Sequence, residues 1–112
     1  MSQETLQTLQ SGVNKLAKKN TSLVRAMMNL SEEASKDGAL SRKMKKLIFI
    51  ALAVQQHCEY CIAHHVHEAM QAGATPEEIY EASHVAIAMG GGPSLAYTAT
   101  ALQQAVESFQ GE

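Results

Sequence analysis

Leu47-Ile48-Phe49-Ile50-Ala51-Leu52-Ala53-Val54 decides the fold class of this chain. Every side chain in the segment is apolar, so it reads either as a buried β-strand or as a helix covered on all its faces. Ile48, Phe49 and Ile50 favour the strand by propensity. Yet the segment joins helical stretches on both sides, and the rest of the chain offers no sheet partner. We read a helix, and with it an all-α fold. A chain of 112 residues has few other helices with which to bury such an element, so the same segment predicts an obligate homo-oligomer with this helix near a shared core.

Working back from it, Ser41 is a helix cap and Arg42-Lys43-Met44-Lys45-Lys46 forms the first turn and a half. Four cations there oppose the helix dipole, and the run reads as a solvated face or one that meets a partner's carboxylates. Before it, Leu23, Ala26, Met27, Leu30 and Ala34 recur at helical spacing. This second helix is capped by Thr21 or Ser22 and ends at Lys36-Asp37-Gly38, with glycine as the left-handed exit. Its methionines read as core filler. A first amphipathic helix covers about Glu4 to Lys19.

Working forward, the chain turns after Gln55-Gln56-His57, and a fourth helix begins at or near Cys58 and runs to about Gln71, stopped by Ala72-Gly73. Thr75-Pro76-Glu77-Glu78 is a helix start with cap, first-turn proline and two acids. The fifth helix carries Ile79, Ala82, Val85, Ala86 and Met89. Gly90-Gly91-Gly92-Pro93-Ser94 is a tight turn into a last helix through Ala96, Ala99, Leu102, Ala105, Val106 and Phe109. We expect a single domain over residues 1–112. A net charge of −2 argues against nucleic acid, and no run is long and apolar enough for a membrane span. The start Met1-Ser2-Gln3-Glu4-Thr5 has no signal-peptide character, so the expected location is cytoplasmic.

Chemistry concentrates in residues 57–67, His-Cys-Glu-Tyr-Cys-Ile-Ala-His-His-Val-His, which hold both cysteines and four of the five histidines. On a helix Cys58 and Cys61 stack one turn apart, and His65 lies one turn beyond Cys61. In a reducing compartment such a pair is redox-active or metal-binding rather than a structural staple. The helix start favours Cys58 as the exposed nucleophile, whereas the imidazole favours Cys61. Zinc would need a fourth ligand, for which His64 and His67 qualify by proximity only, and we expect no metal and no cofactor. His64, His67 and His84 read as surface or packing histidines, Tyr60 and Tyr97 as wall or core.

The stretch from Lys46 to Pro93 resembles the carboxymuconolactone decarboxylase and alkylhydroperoxidase D superfamily. The residues that carry the resemblance are Leu47-Ile48, Ala51-Leu52-Ala53-Val54, Cys58-Glu59-Tyr60-Cys61-Ile62, His65, Ala69, Gly73-Ala74-Thr75, Glu78-Ile79, Glu81-Ala82 and Met89-Gly90-Gly91-Gly92-Pro93. The resemblance implies an alkylhydroperoxidase-D-like fold of about six helices, whose subunits interlock as dimers and assemble into trimers or hexamers. Because the decarboxylase proper lacks the cysteine pair, it points to the peroxide-reducing branch: a thiol peroxidase for small hydroperoxides, reset by a dithiol reductant or redox carrier protein. By position Cys61 matches the attacking thiol, Cys58 the resolving one and His65 the proton-relay imidazole. The alternatives are a lyase acting on a lactone acid, or a non-catalytic or metal-binding stress-related protein.

Three positions depart from the family pattern. Tyr60 stands where the hydroperoxidase can carry histidine, and His57 where glycine is common. Lys46 stands twelve residues before Cys58, where the family's relay carries a glutamate. A cation there favours a thiolate but supplies no base, which predicts a cysteine readily oxidised once in an enzyme that turns over slowly. The rival expectation is that Lys46 points to solvent with its basic neighbours and another acid, Glu68 or one from another subunit, serves the relay.

Overall fold

The structure is a computed structural model and describes residues 2–111, all of whose regular elements are helical. Helix α1 spans Ser2–Lys19, α2 Thr21–Ser35, α3 Arg42–Gln55, α4 Glu59–Gln71 and α5 Pro76–Gly90. The last helix starts as α6, Gly92–Tyr97, widens into a π segment over Thr98–Leu102, and closes as α7, Gln103–Phe109. Counted as one interrupted rod, it brings the total to six, as expected. The all-apolar segment is helical, so the strand alternative is excluded.

Local chemistry explains most boundaries. The Ser41 hydroxyl accepts the Met44 N–H, and the Asp37 carboxylate accepts the Arg42 N–H. Thr75 and Glu78 exchange side-chain and backbone hydrogen bonds in a full capping box with Pro76 at the first turn. Two boundaries differ from expectation. The cap of α2 is Asn20, whose side chain accepts the Leu23 N–H, while the Thr21 hydroxyl donates back to the Ala17 carbonyl. Nor is Gly38 a left-handed exit: α2 stops at Ser35 because Lys36 turns extended, at φ −64° and ψ 148°. The left-handed glycines are Gly73 and Gly91, which let the chain leave α4 and α5.

Helix α4 is the central element, packed against α3, α1 and α7. Its Ile62, Val66 and Ala69 meet Ile50 and Val54 of α3, Ile79 and Ala86 of α5, Leu6 of α1, and the Leu102-to-Phe109 stretch in one core. Helix α3 is not covered on every side within the chain. Leu47, Ile50, Ala53 and Val54 are buried, but Met44, Ile48 and Leu52 are exposed. Nor are Met27 and Met28 core filler, since both lie more than half exposed, and Val85 and Met89 of α5 are bare. No described helix is long and apolar enough to cross a membrane.

Candidate active site

The two cysteines take different places at the start of α4. Cys58 is the N-cap, with an extended backbone, and its sulfur accepts the N–H of Cys61 at 3.1 Å. Cys61 lies in the first turn, half-buried against the core. The Cα atoms are 5.2 Å apart and the sulfurs are joined as a disulfide. The helix start therefore directs a backbone donor at Cys58, while Cys61 shares its face with the imidazole one turn on. The turn that feeds α4 passes through His57, whose φ of 56° puts a non-glycine residue in the left-handed region. A ring stack on Tyr97, with centroids 5.1 Å apart, holds it there. That geometry gives a physical reason for a glycine preference at this position.

His65 is packed rather than solvated. It stacks on Phe49 of α3 with centroids 4.7 Å apart and rings within 5° of parallel, and meets the edge of His64. Its Nδ1 is buried without a hydrogen-bond partner. Burial above all, then His64 and Lys46, lowers its pKa to about 4 against an opposing pull from Glu68. His64 is lowered chiefly by burial too, with Glu68 again raising it and Lys46 and His67 lowering it. Both imidazoles are thus neutral near pH 7, the form that accepts a proton.

Lys46 corrects both expectations for the basic run. It is only 5% exposed, so it does not point to solvent, and its Nζ lies 3.5 Å from Glu68 Oε1 and 5.8 Å from the centre of the Phe49 ring. Its neighbours are not simply solvated either. Arg42 pairs with Glu32 and Lys43 with Glu78, and the Lys45 Nζ donates to the Lys36 carbonyl. These partners are intrachain carboxylates and a carbonyl on the elements that α3 crosses.

Lys46, His64, His65 and Glu68 form the polar end of a cavity of about 640 Å³ whose walls are Leu9, Val13 and Leu16 of α1 and Leu23, Val24 and Met27 of α2. A smaller hollow beside Tyr60 shares Leu9, Val13 and Leu16, so one apolar face of α1 runs past α4 from Tyr60 to the histidines. His67 meets the edge of Phe109, and His84 is exposed on α5; neither lines the cavity. Among the described residues no cluster of three or more His, Cys, Asp or Glu could hold a metal ion. Sequence reasoning took His64 for a bystander and did not single out Phe49. The signal for both was spacing: Phe49 follows Lys46 by three residues and Glu68 follows His64 by four.

The fold and the site together define an all-helical protein that presents a paired thiol at the start of its central helix. This chain belongs to the carboxymuconolactone decarboxylase family, whose model matches residues 21–104. It is similar to a carboxymuconolactone decarboxylase family protein from Legionella pneumophila, with 39% identity, a TM-score of 0.91 and 96% of each chain covered. A family protein from Thermotoga maritima, with a suggested part in antioxidative response, superposes with a TM-score of 0.75 at 25% identity, over 95% of this chain and 87% of that one. Uncharacterized protein 4 of the cox locus of Paracoccus denitrificans is 42% identical over 77 residues, 69% of each chain.

Proposed function

We propose that this protein is a disulfide-forming thiol peroxidase that reduces small organic hydroperoxides. The observation that carries the reading is a Cys58–Cys61 disulfide at the start of α4 with a neutral, half-buried imidazole one turn beyond Cys61. In the reduced chain His65 takes the proton of Cys61. The thiolate attacks the terminal oxygen of the peroxide, the O–O bond breaks, and the departing alkoxide takes the proton back, leaving a sulfenic acid and an alcohol. The Cys58 thiol then displaces water from that sulfenic acid and closes the disulfide. A dithiol carrier protein resets the pair by exchange, and the cycle uses no metal or organic cofactor. The Cys61 N–H at Cys58 suits a resolving thiol that has to be a good thiolate when the sulfenic acid forms.

The direct test is to titrate free thiols of the reduced protein before and after a small dose of hydroperoxide, with mass spectrometry on the peptide that holds both cysteines. Loss of two thiols per chain as an intrachain disulfide is expected, and unchanged counts in native protein would sink the reading. A lyase acting on a lactone acid would instead keep its activity after both cysteines were replaced.

A further inference from the structure

Glu68 has more to do in this cavity than its exposure suggests. It follows His64 by four residues and His65 by three on α4, which places it on the face that both rings occupy. Across from it α3 brings Lys46, nearly enclosed, with its ammonium 3.5 Å from the Glu68 carboxylate. The other carboxylate lining the cavity, Glu32 of α2, is bound to Arg42 at 3.2 Å. From α1 the cavity receives only apolar side chains. His65 therefore faces one cation, Lys46, one carboxylate not held by an arginine, Glu68, and a second imidazole, His64.

We propose that Glu68 is a positioning residue of the site: held by Lys46, its carboxylate stabilises the imidazolium that His65 becomes on taking the cysteine proton. The inference rests on the peroxidase reading and deepens it. When Cys61 loses its proton to His65, a second positive charge arises beside Lys46. An enclosed ammonium with no counter-charge would oppose that transfer, and His65 would neither take the proton nor hold it for the alkoxide. Glu68 leaves the Lys46–Glu68 pair with no net charge, so the imidazolium forms next to a dipole rather than next to a bare cation. The same pair explains how a lysine can sit against a proton-accepting histidine. Neutralising Lys46 would by itself be a structural task; the placement of Glu68 on the histidines' own face makes the pair act on the proton as well.

The two roles separate in an experiment on the reduced full-length chain. The ring of His65 is titrated by NMR in wild type, Glu68→Gln, Lys46→Met and the double variant, alongside steady-state turnover with an organic hydroperoxide. Glu68→Gln is expected to move the His65 titration to lower pH and Lys46→Met to higher pH, with the double variant between them. Turnover should fall about tenfold in Glu68→Gln and recover in the exchanged pair Lys46→Glu with Glu68→Lys. Should the unpaired lysine unfold Glu68→Gln, the double variant and the exchanged pair still report. A His65 titration indifferent to both charges, or turnover equal to wild type in folded Glu68→Gln, would overturn the inference. Opposed NMR shifts in a chain that consumes no hydroperoxide would leave the control of His65 by the pair standing and remove the peroxidase reading instead.

Discussion

His65 accepts a proton with difficulty, and that sets its behaviour toward acid as well as toward substrate. Its folded pKa of about 4 lies below the ordinary histidine value of 6.5, so the unfolded chain binds a proton that the folded chain refuses. Stability from this group is complete above about pH 6.5 and drains away as pH falls toward 4. His64, also lowered, adds in the same direction. The melting temperature is therefore expected to drop between pH 7 and pH 5, and to drop less in His65→Gln; equal slopes would contradict the assignment. The thiols make the second prediction at this scale. Cys61→Ser is expected to abolish peroxide consumption, while Cys58→Ser still forms one sulfenic acid at Cys61, seen by a sulfenic-acid probe and mass spectrometry. Trapping of the acid at Cys58 in Cys61→Ser would reverse the two roles. The cysteine spacing and the position of His65 were legible in the sequence because helix periodicity alone puts them on one face. The enclosure of Lys46 was not, since four cations within five residues read as a wet surface and only the approach of α4, with Glu68 on it, shows which of them goes inside.

Helix starts carry the scaffold, and those of α2, α3, α4 and α5 are each held by one or two cap hydrogen bonds, whereas α6 has no side-chain cap. Ser41 begins the helix that brings Lys46 and Phe49 to the cavity, and its hydroxyl satisfies the Met44 N–H. Ser41→Ala is expected to cost about 1 kcal/mol in denaturant unfolding, with turnover little changed at temperatures where the chain stays folded. Caps followed by glutamate three residues on, as in Thr75 and Glu78, were readable because the sequence pattern is the hydrogen-bond pattern. The start of α2 was misread because three consecutive residues, Asn20, Thr21 and Ser22, all can cap. What separates them is that Asn20 alone leaves the helix dihedrals, at φ −152°. The π segment at Thr98–Leu102 had no sequence signal: Thr98-Ala99-Thr100-Ala101-Leu102 reads as ordinary helix, and the widening shows only in the backbone.

The molecule as a whole exposes 6900 Å², where a compact monomer of its mass exposes about 6,000 Å². Large apolar side chains stand exposed on α2, α3 and α5, among them Leu23, Met27, Ile48, Leu52, Val85 and Met89. We therefore expect a homo-oligomer in solution, in which the bare face of α3 meets a second copy. Light scattering at micromolar concentration should give a multiple of the chain mass, and Leu52→Glu should reduce it; a stable wild-type monomer would refute the expectation. Periodicity identifies these residues as apolar and puts α3 near a core shared between copies, but it reads Met27 of α2 as filler of the chain's own core, because a sequence pattern states which side chains avoid water and not which surface covers them.

The sulfur of Cys58 ends the chain of hydrogen bonds at the start of α4 by accepting the Cys61 N–H. One atom thus serves both as half of the disulfide and as the acceptor that holds the first helical turn. Reduction turns that acceptor from a neutral sulfur into one able to carry negative charge, and a charged acceptor binds an amide more firmly. The Cys61 backbone amide should then register the oxidation state in its chemical shift and in its exchange with solvent deuterium, slower in the thiolate form. Redox cycling of the pair could be followed through the backbone, with no reagent placed on either sulfur.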